Sequence, residues 1–154
     1  MTTLIESPAE TVVQLRPSAV SAHAVNDPTA VAVSAADCEL TYRELDLWSN
    51  RLARLLLARG AGPGVRVAVA VTPAVEATVT EWAIAKTGAV AVAVAPGTAA
   101  HGATLGVTTK ALRGELADSL NWLMLDDRST LVHYMTGSDA PITDADRGMV
   151  LEIA

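Results

Sequence analysis

Apolar and polar positions along this chain switch repeatedly between a period of two and a period near 3.6. The run Ala30-Val31-Ala32-Val33 has strand character, and the turn Ser34 to Asp37 before Cys38-Glu39-Leu40 predicts a hairpin. Thr41 stands three residues before Glu44, the spacing of a capping box. Leu45, Trp48, Leu52, Leu55 and Leu56 then recur at helical spacing, with Arg43, Asn50, Arg51 and Arg54 largely on other faces. The pattern predicts a helix over about 42–59. It should bury Leu45, Trp48, Leu52 and Leu56, expose Arg43, Asn50 and Arg54, and stop at Gly60.

Beyond the turn Gly62-Pro63-Gly64, the alternation Val65-Arg66-Val67-Ala68-Val69-Ala70-Val71 predicts a strand. Pro73 suits a first helical position, and Val75, Val79, Trp82 and Lys86 follow at spacings of four, three and four. These predict a helix over 74–87, ended by Gly88, and a strand over about 89–95. Ala and Val alternate in that strand, so both of its faces are apolar, as in a parallel sheet flanked by helices. Leu105 to Thr108 is expected as a strand, Lys110 to Leu120 as a helix and Trp122 to Leu125 as a strand. From Arg128 onward Ser, Thr, Gly and Asp dominate and no periodicity stands out. Residues 1–17 are polar, end at Pro17 and read as a loose arm before a single domain over 18–154. The expected fold is α/β, a three-layer α/β/α arrangement with a mostly parallel sheet and right-handed crossovers.

Composition sharpens this picture. The chain has 154 residues, 51% of them hydrophobic and 18% charged, which excludes a disordered chain. Ala (29) and Val (18) dominate and Phe is absent, so the core must be built from small side chains packed closely. The net charge of −6 argues against nucleic acid or an anionic membrane as a partner. The apolar run Ala89 to Ala95 is far shorter than the ~20 residues of a spanning helix. MTTLIESPAE has neither a basic nor an apolar signal region. A soluble cytoplasmic protein is expected, with a single cysteine, Cys38, that has no internal partner.

Candidate chemistry is sparse. Gly60-Ala61-Gly62-Pro63-Gly64 closes a helix and leads into a strand, the reverse of a dinucleotide-binding loop, so it reads as a helix stop and turn. His23, His101 and His133 are widely separated and lack metal-ligand spacing. Asp126-Asp127 at a strand end could hold a metal but suits a solvated turn better. Asp139, Asp144 and Asp146 read as solvated loop residues, and Ser34, Ser49, Ser119 and Ser138 lack a nucleophile-elbow setting. Met135-Thr136-Gly137-Ser138 is a weak phosphate-loop candidate without the following Gly-Lys-Ser/Thr, and Trp48, Trp82 and Trp122 read as core or interface residues. No catalytic, cofactor-binding or metal-binding position emerges.

One set of motifs is more specific. Leu40-Thr41-Tyr42-Arg43-Glu44-Leu45, Asn50-Arg51-Leu52-Ala53-Arg54-Leu55-Leu56 and Gly60-Ala61-Gly62-Pro63-Gly64-Val65-Arg66-Val67-Ala68 closely resemble the beginning of the adenylate-forming superfamily. That superfamily includes nonribosomal peptide synthetase adenylation domains, acyl-CoA synthetases and firefly luciferase. The resemblance is firmest over 28–96 and extends through Leu123-Met124-Leu125-Asp126-Asp127 and Ala140 to Arg147.

The resemblance implies that the family's phosphate loop should begin soon after Arg147. Its acyl or amino-acid pocket, adenine segment, ribose-binding Asp and catalytic Lys would come later still, and none matches a position here. Gly97 to Thr104 is short where family members usually have a helix, so that helix is expected to be missing. The expectation is a stand-alone, non-catalytic adenylation-like module without cofactor, acting through protein–protein contact. The alternatives are the scaffold half of a split adenylating enzyme, or a degenerate remnant. The expected partner is a second copy of the chain, or another adenylate-forming or peptide synthetase protein. Trp82, with the small residues Ala77, Ala83 and Ala85, is the expected contact in a homodimer.

Overall fold

The computed structural model describes residues 10–13, 17–35, 38–72, 74–95, 102–116 and 118–147. The first half of the chain forms β1 (Glu10–Val13), α1 (Pro17–Asn26), β2 (Val31–Ala35), β3 (Cys38–Thr41), α2 (Tyr42–Ala58) and β4 (Arg66–Ala70). The second half forms α3 (Ala74–Thr87), β5 (Val90–Val94), β6 (Ala103–Thr108), α4 (Lys110–Arg113), β7 (Asn121–Met124) and α5 (Arg128–Thr136).

The capping box starts α2 as expected. The Glu44 N–H donates to Thr41 Oγ1 at 3.1 Å, and the Thr41 N–H donates to Glu44 Oε1 at 2.9 Å. Gly60 ends the helix with φ at +108°, a conformation that a side chain would strain, and the Ala61 N–H returns to the Leu56 carbonyl at 3.0 Å. From α2 to β5 every element falls within one residue of its expected bounds.

The sheet runs β1-β5-β4-β6-β7, with β5, β4, β6 and β7 parallel and β1 antiparallel at one edge. This is the expected α/β fold with a mostly parallel sheet. Helices α2 and α3 pack on the face that carries Val67, Val69, Ala91, Leu105, Val107 and Leu123. On the opposite face Ala68, Val92, Val94 and Leu120 form a second, smaller cluster joined by Trp122. The strands β2 and β3 form the expected hairpin as a separate two-stranded sheet.

Several expectations need correction. Glu10–Val13, placed in a loose arm, form β1 and pair with β5 from Glu10↔Val94 to Val13↔Ala91. The open backbone edge of β5 offers the ladder, and Thr11, Val12 and Val13 are β-branched residues that suit it. Pro17 opens α1 rather than closing the arm, as its fixed φ and missing N–H allow. Ser34, placed in the hairpin turn, belongs to β2 and pairs with Glu39. The helix expected over Lys110 to Leu120 ends at Arg113, because Gly114 interrupts it. Helix α5 was not expected from the polar stretch after Arg128. Asn50 is 2% exposed rather than on the solvent face, and Trp48 is half-buried. Ala83 is fully buried against the sheet, so it cannot line an open contact face. Of Gly97 to Thr104, where a family helix was expected to be missing, Ala103 and Thr104 belong to β6 and Gly102 precedes it; the other positions, with His101 and Pro73, lie outside the described residues.

Register explains how bulky Trp122 fits a sheet of small residues. Val92, Ala68, Gly106 and Trp122 are paired in one row across four strands, so their side chains share a face. A Cβ on Gly106 would lie 2.5 Å from Cε3 and 3.0 Å from Cη2 of the indole, closer than real contacts allow. Gly106→Ala should therefore destabilise the chain by about 1–3 kcal/mol through overpacking. In urea denaturation, Gly106→Ala combined with Trp122→Leu should lose less than the sum of the two single changes.

Candidate functional site

The polar positions of α2 meet the C-terminal segment of the chain. Asn50 Nδ2 donates to the Asp139 carbonyl at 3.0 Å, and Arg51 donates to the Met135 carbonyl at 3.2 Å and pairs with Asp139 Oδ2 at 3.4 Å. One turn on, Arg54 donates to the carbonyls of Ala140 and Pro141 at 3.0 and 3.1 Å and pairs with Asp146 at 3.5 Å. Spacings of three and four on a helix put such side chains on neighbouring rows, so one face can grip an extended strand of chain. A turn follows, in which Asp146 Oδ2 accepts from the Thr143 N–H at 2.9 Å and from its hydroxyl at 3.0 Å. These bonds from Thr143 hold the Asp146 carboxyl below its usual range, with Arg54 adding to the effect.

Beneath this segment lies Lys86, 3% exposed in the last turn of α3. Its ammonium donates to Asp46 Oδ1 at 2.7 Å, to Asn50 Oδ1 at 2.8 Å and to the Asp46 carbonyl at 3.1 Å. All three protons are therefore engaged. Burial lowers the Lys86 pKa from its ordinary 10.5, and the bond and charge of Asp46 oppose that shift. Ser21 of α1 donates to the same Asp46 oxygen at 3.0 Å. Arg147 Nε donates to the Lys86 carbonyl at 2.7 Å, and its Nη1 donates to Asp144 Oδ1 at 2.6 Å. An arginine here satisfies a carbonyl that α3 leaves unpaired at its C-terminal end, where a cation is favoured.

The sequence-derived candidates scatter around this seam. Gly60 to Gly64 form the expected helix stop and turn, with the Val65 N–H donating to the Gly62 carbonyl at 3.1 Å. His23 stacks on Tyr42 at 4.6 Å between ring centroids, and His133 is exposed on α5. Asp126 accepts from the Lys110 N–H at 2.9 Å at the start of α4. Asp127 precedes α5, where the Ser129 hydroxyl donates to it at 2.8 Å and holds its carboxyl below the usual range. Asp144 and Asp146 are exposed as expected of solvated loop residues, and with Asp139 they pair with Arg147, Arg54 and Arg51 respectively.

Ser49 is buried and donates to the Asp46 carbonyl, while Ser138 accepts from the Ala140 N–H. The Met135 to Ser138 string contributes only the Met135 carbonyl to the seam. Among the described residues no group of three or more His, Cys, Asp and Glu side chains is placed to hold a metal ion. Sequence reasoning missed the Asp46–Asn50–Lys86 cluster. Its signal was a pair at i and i+4 on α2 and a lone lysine at the end of an apolar helix. Lys86→Met should cost about 3–5 kcal/mol, because it leaves Asp46 and the Asn50 carbonyl without their buried donor. Lys110→Met, which removes the other, exposed lysine, should stay within about 0.5 kcal/mol of the parent in the same denaturation experiment.

Comparison with known proteins bears directly on this architecture. Residues 20–110 match the family model described as AMP-binding enzyme. Phosphinothricin tripeptide synthetase PhsC of Streptomyces viridochromogenes is 40% identical over 125 residues, covering 74% of this chain and 12% of that protein. The isonitrile lipopeptide synthase of Mycobacterium tuberculosis is 43% identical over 86 residues, covering 56% of this chain and 3% of that protein. The chain thus spans a small fraction of the synthetases it matches.

Among solved structures, the nonribosomal peptide synthetase FmoA3 superposes with a TM-score of 0.70 at 28% identity, covering 89% of this chain and 15% of that one. A fatty acid AMP ligase from Legionella pneumophila shares the fold, with a TM-score of 0.62 at 16% identity over 74% of this chain and 24% of that one. With more than half its length matched by the family model and this fold beneath it, the chain belongs to the AMP-binding enzyme family.

Proposed function

We propose that this chain, which resembles the N-terminal part of an adenylation domain, is a non-catalytic scaffold that acts through protein–protein contact. The observation that carries the reading is the closed state of the Lys86 seam. Adenylate formation needs donors aimed at charge developing on phosphates. Lys86 instead has three internal acceptors, and Arg51, Arg54 and Arg147 hold the 135–147 segment in place. Among the described residues the exposed large apolar side chains are Val25 and Val31, which stand singly, and Leu131, Val132 and Met135, which stand together on α5. With Ala83 buried, α5 replaces α3 as the contact surface for a second copy or another peptide synthetase protein. The acidic charge disfavours nucleic acid and anionic membrane as partners. No helix among the described residues is long and apolar enough to cross a membrane, and the reading places the chain in the cytoplasm.

A second reading is the scaffold half of a split ligase whose phosphate loop another polypeptide supplies, and the match of residues 20–110 to the AMP-binding enzyme model supports it. Pyrophosphate exchange with a panel of amino and aliphatic acids should show no turnover, and calorimetry with ATP and Mg²⁺ no saturable isotherm. A micromolar isotherm would overturn the scaffold reading. Light scattering across a concentration series should give a mass that rises above 15.9 kDa, and Val132→Glu with Met135→Glu should abolish the rise without unfolding the chain. A mass fixed at 15.9 kDa into the high micromolar range would exclude a second copy as the partner.

A further inference from the structure

A cavity of about 430 Å³ opens at the carboxyl ends of the parallel strands, away from Lys86. Thr72 reaches it from beyond β4, and Leu125 and Asp126 from beyond β7. Leu52 of α2 and Val79 of α3 supply apolar wall, and Leu131 and Met135 of α5 bound one side. The same two α5 residues belong to the exposed apolar group on that helix: Leu131 is 38%, Val132 54% and Met135 59% exposed. Hole and protruding side chains are therefore parts of one continuous face. Val132 and Met135 stand three apart on α5 and share a side, and Arg128 lies four residues before Val132 on the same row. An apolar cavity of about 150 Å³ already takes a benzene-sized group. At about 430 Å³ this one has room for two apolar side chains.

The charges on this face are complementary as well. The cavity lining carries two exposed carboxylates, Glu76 in the first turn of α3 and Asp126 after β7, and no lysine, arginine or histidine. Helix α5 carries Arg128 and His133 and no acidic residue. Asp126 already accepts from the Lys110 N–H, and Asp127, next to Arg128, accepts from Ser129 with Lys110 close by. Glu76 and Arg128 are both exposed, and neither makes an ion pair among the described residues. A chain of net charge −6 repels its own copies as a whole, so self-association needs a local cation set against a local anion. This face supplies both, beside its own hole and its own apolar side chains. A surface that carries both halves of a fit can meet its own copy across a two-fold axis, where every contact occurs twice.

We propose that the strand-end cavity is the receiving half of a two-fold contact between copies of this chain. Val132 and Met135 of each copy enter the cavity of the other, and Arg128 of each faces Glu76 of the other. The proposal rests on the reading of α5 as a contact surface, commits that surface to a second copy and adds the cavity as the place that receives it. Sedimentation equilibrium over a micromolar concentration series tests it, with melting curves to show that each variant is folded. Ala111→Trp fills the cavity mouth from an exposed lining position on α4 and should weaken association at least tenfold. Glu76→Arg and Arg128→Glu set like charges across the axis, so each alone should weaken association about tenfold. The chain carrying both changes restores opposite charges and should return to within about threefold of the parent. If association is abolished by Val132→Glu with Met135→Glu but is indifferent to Ala111→Trp, the cavity is not the receptor; the proposal is overturned and the α5 reading stands. Absence of rescue in the doubly changed chain overturns it too. A mass fixed at 15.9 kDa overturns it together with the second copy as partner.

Discussion

A buried ammonium is tolerated only where every proton finds an acceptor and an opposite charge stands close by. Lys86 meets that condition through two residues one helical turn apart on α2, and much of the tertiary structure converges on it. The same cluster receives Ser21 from α1 on Asp46 and Arg147 on the Lys86 carbonyl. Asn50 faces both ways, accepting from Lys86 and donating to the Asp139 carbonyl. Three helices and the C-terminal segment therefore share one set of hydrogen bonds. Separating α2 from α3 would leave the buried Lys86 ammonium without its acceptors.

The second constraint is size. With no Phe and a surplus of Ala and Val, the layers must approach closely for the core to fill. Ala53 and Ala83, both fully buried, let α2 and α3 lie close to each other and to the sheet. The large side chains are then placed where a small neighbour makes room, Trp122 over Gly106 being the clearest case. Trp48 takes the other solution and leaves the core partly, making an edge contact with Tyr134 at 5.1 Å while Arg51 lies 4.7 Å over its ring.

The parts of the fold that were legible in the sequence rest on local chemistry. The capping box at Thr41 and Glu44, the stops at Gly60 and Gly88 and the Ala/Val alternation of β4 and β5 each act within a few residues. What could not be read depends on distant pairing. Strand β1 exists because the edge of β5 was open, and no periodicity in Glu10–Val13 signals that. Asn50 looked solvent-facing because it lies off the leucine stripe, yet it is buried between Lys86 and the Asp139 carbonyl, 89 residues along the chain. The arginine partners of Asp139 and Asp146 were hidden for the same reason, since Arg51 and Arg54 on α2 are remote in sequence, whereas Asp144 pairs locally with Arg147. The family motifs reached further than periodicity did, since the Asn-Arg-Leu-Ala string marks the helix face that grips this loop, although its role was not visible from spacing.

Helix α2 joins the seam to the strand-end cavity. Its Asn50, Arg51 and Arg54 hold the C-terminal segment, while Trp48 and Leu52 line the cavity. Arg51 belongs to both sides, bound to Asp139 and stacked over Trp48, which in turn contacts Tyr134 at the cavity wall. That row of contacts is short and contiguous, and each member has a specific partner rather than a diffuse apolar neighbour. The helix whose polar face grips the 135–147 segment thus also lines an apolar cavity through Trp48 and Leu52.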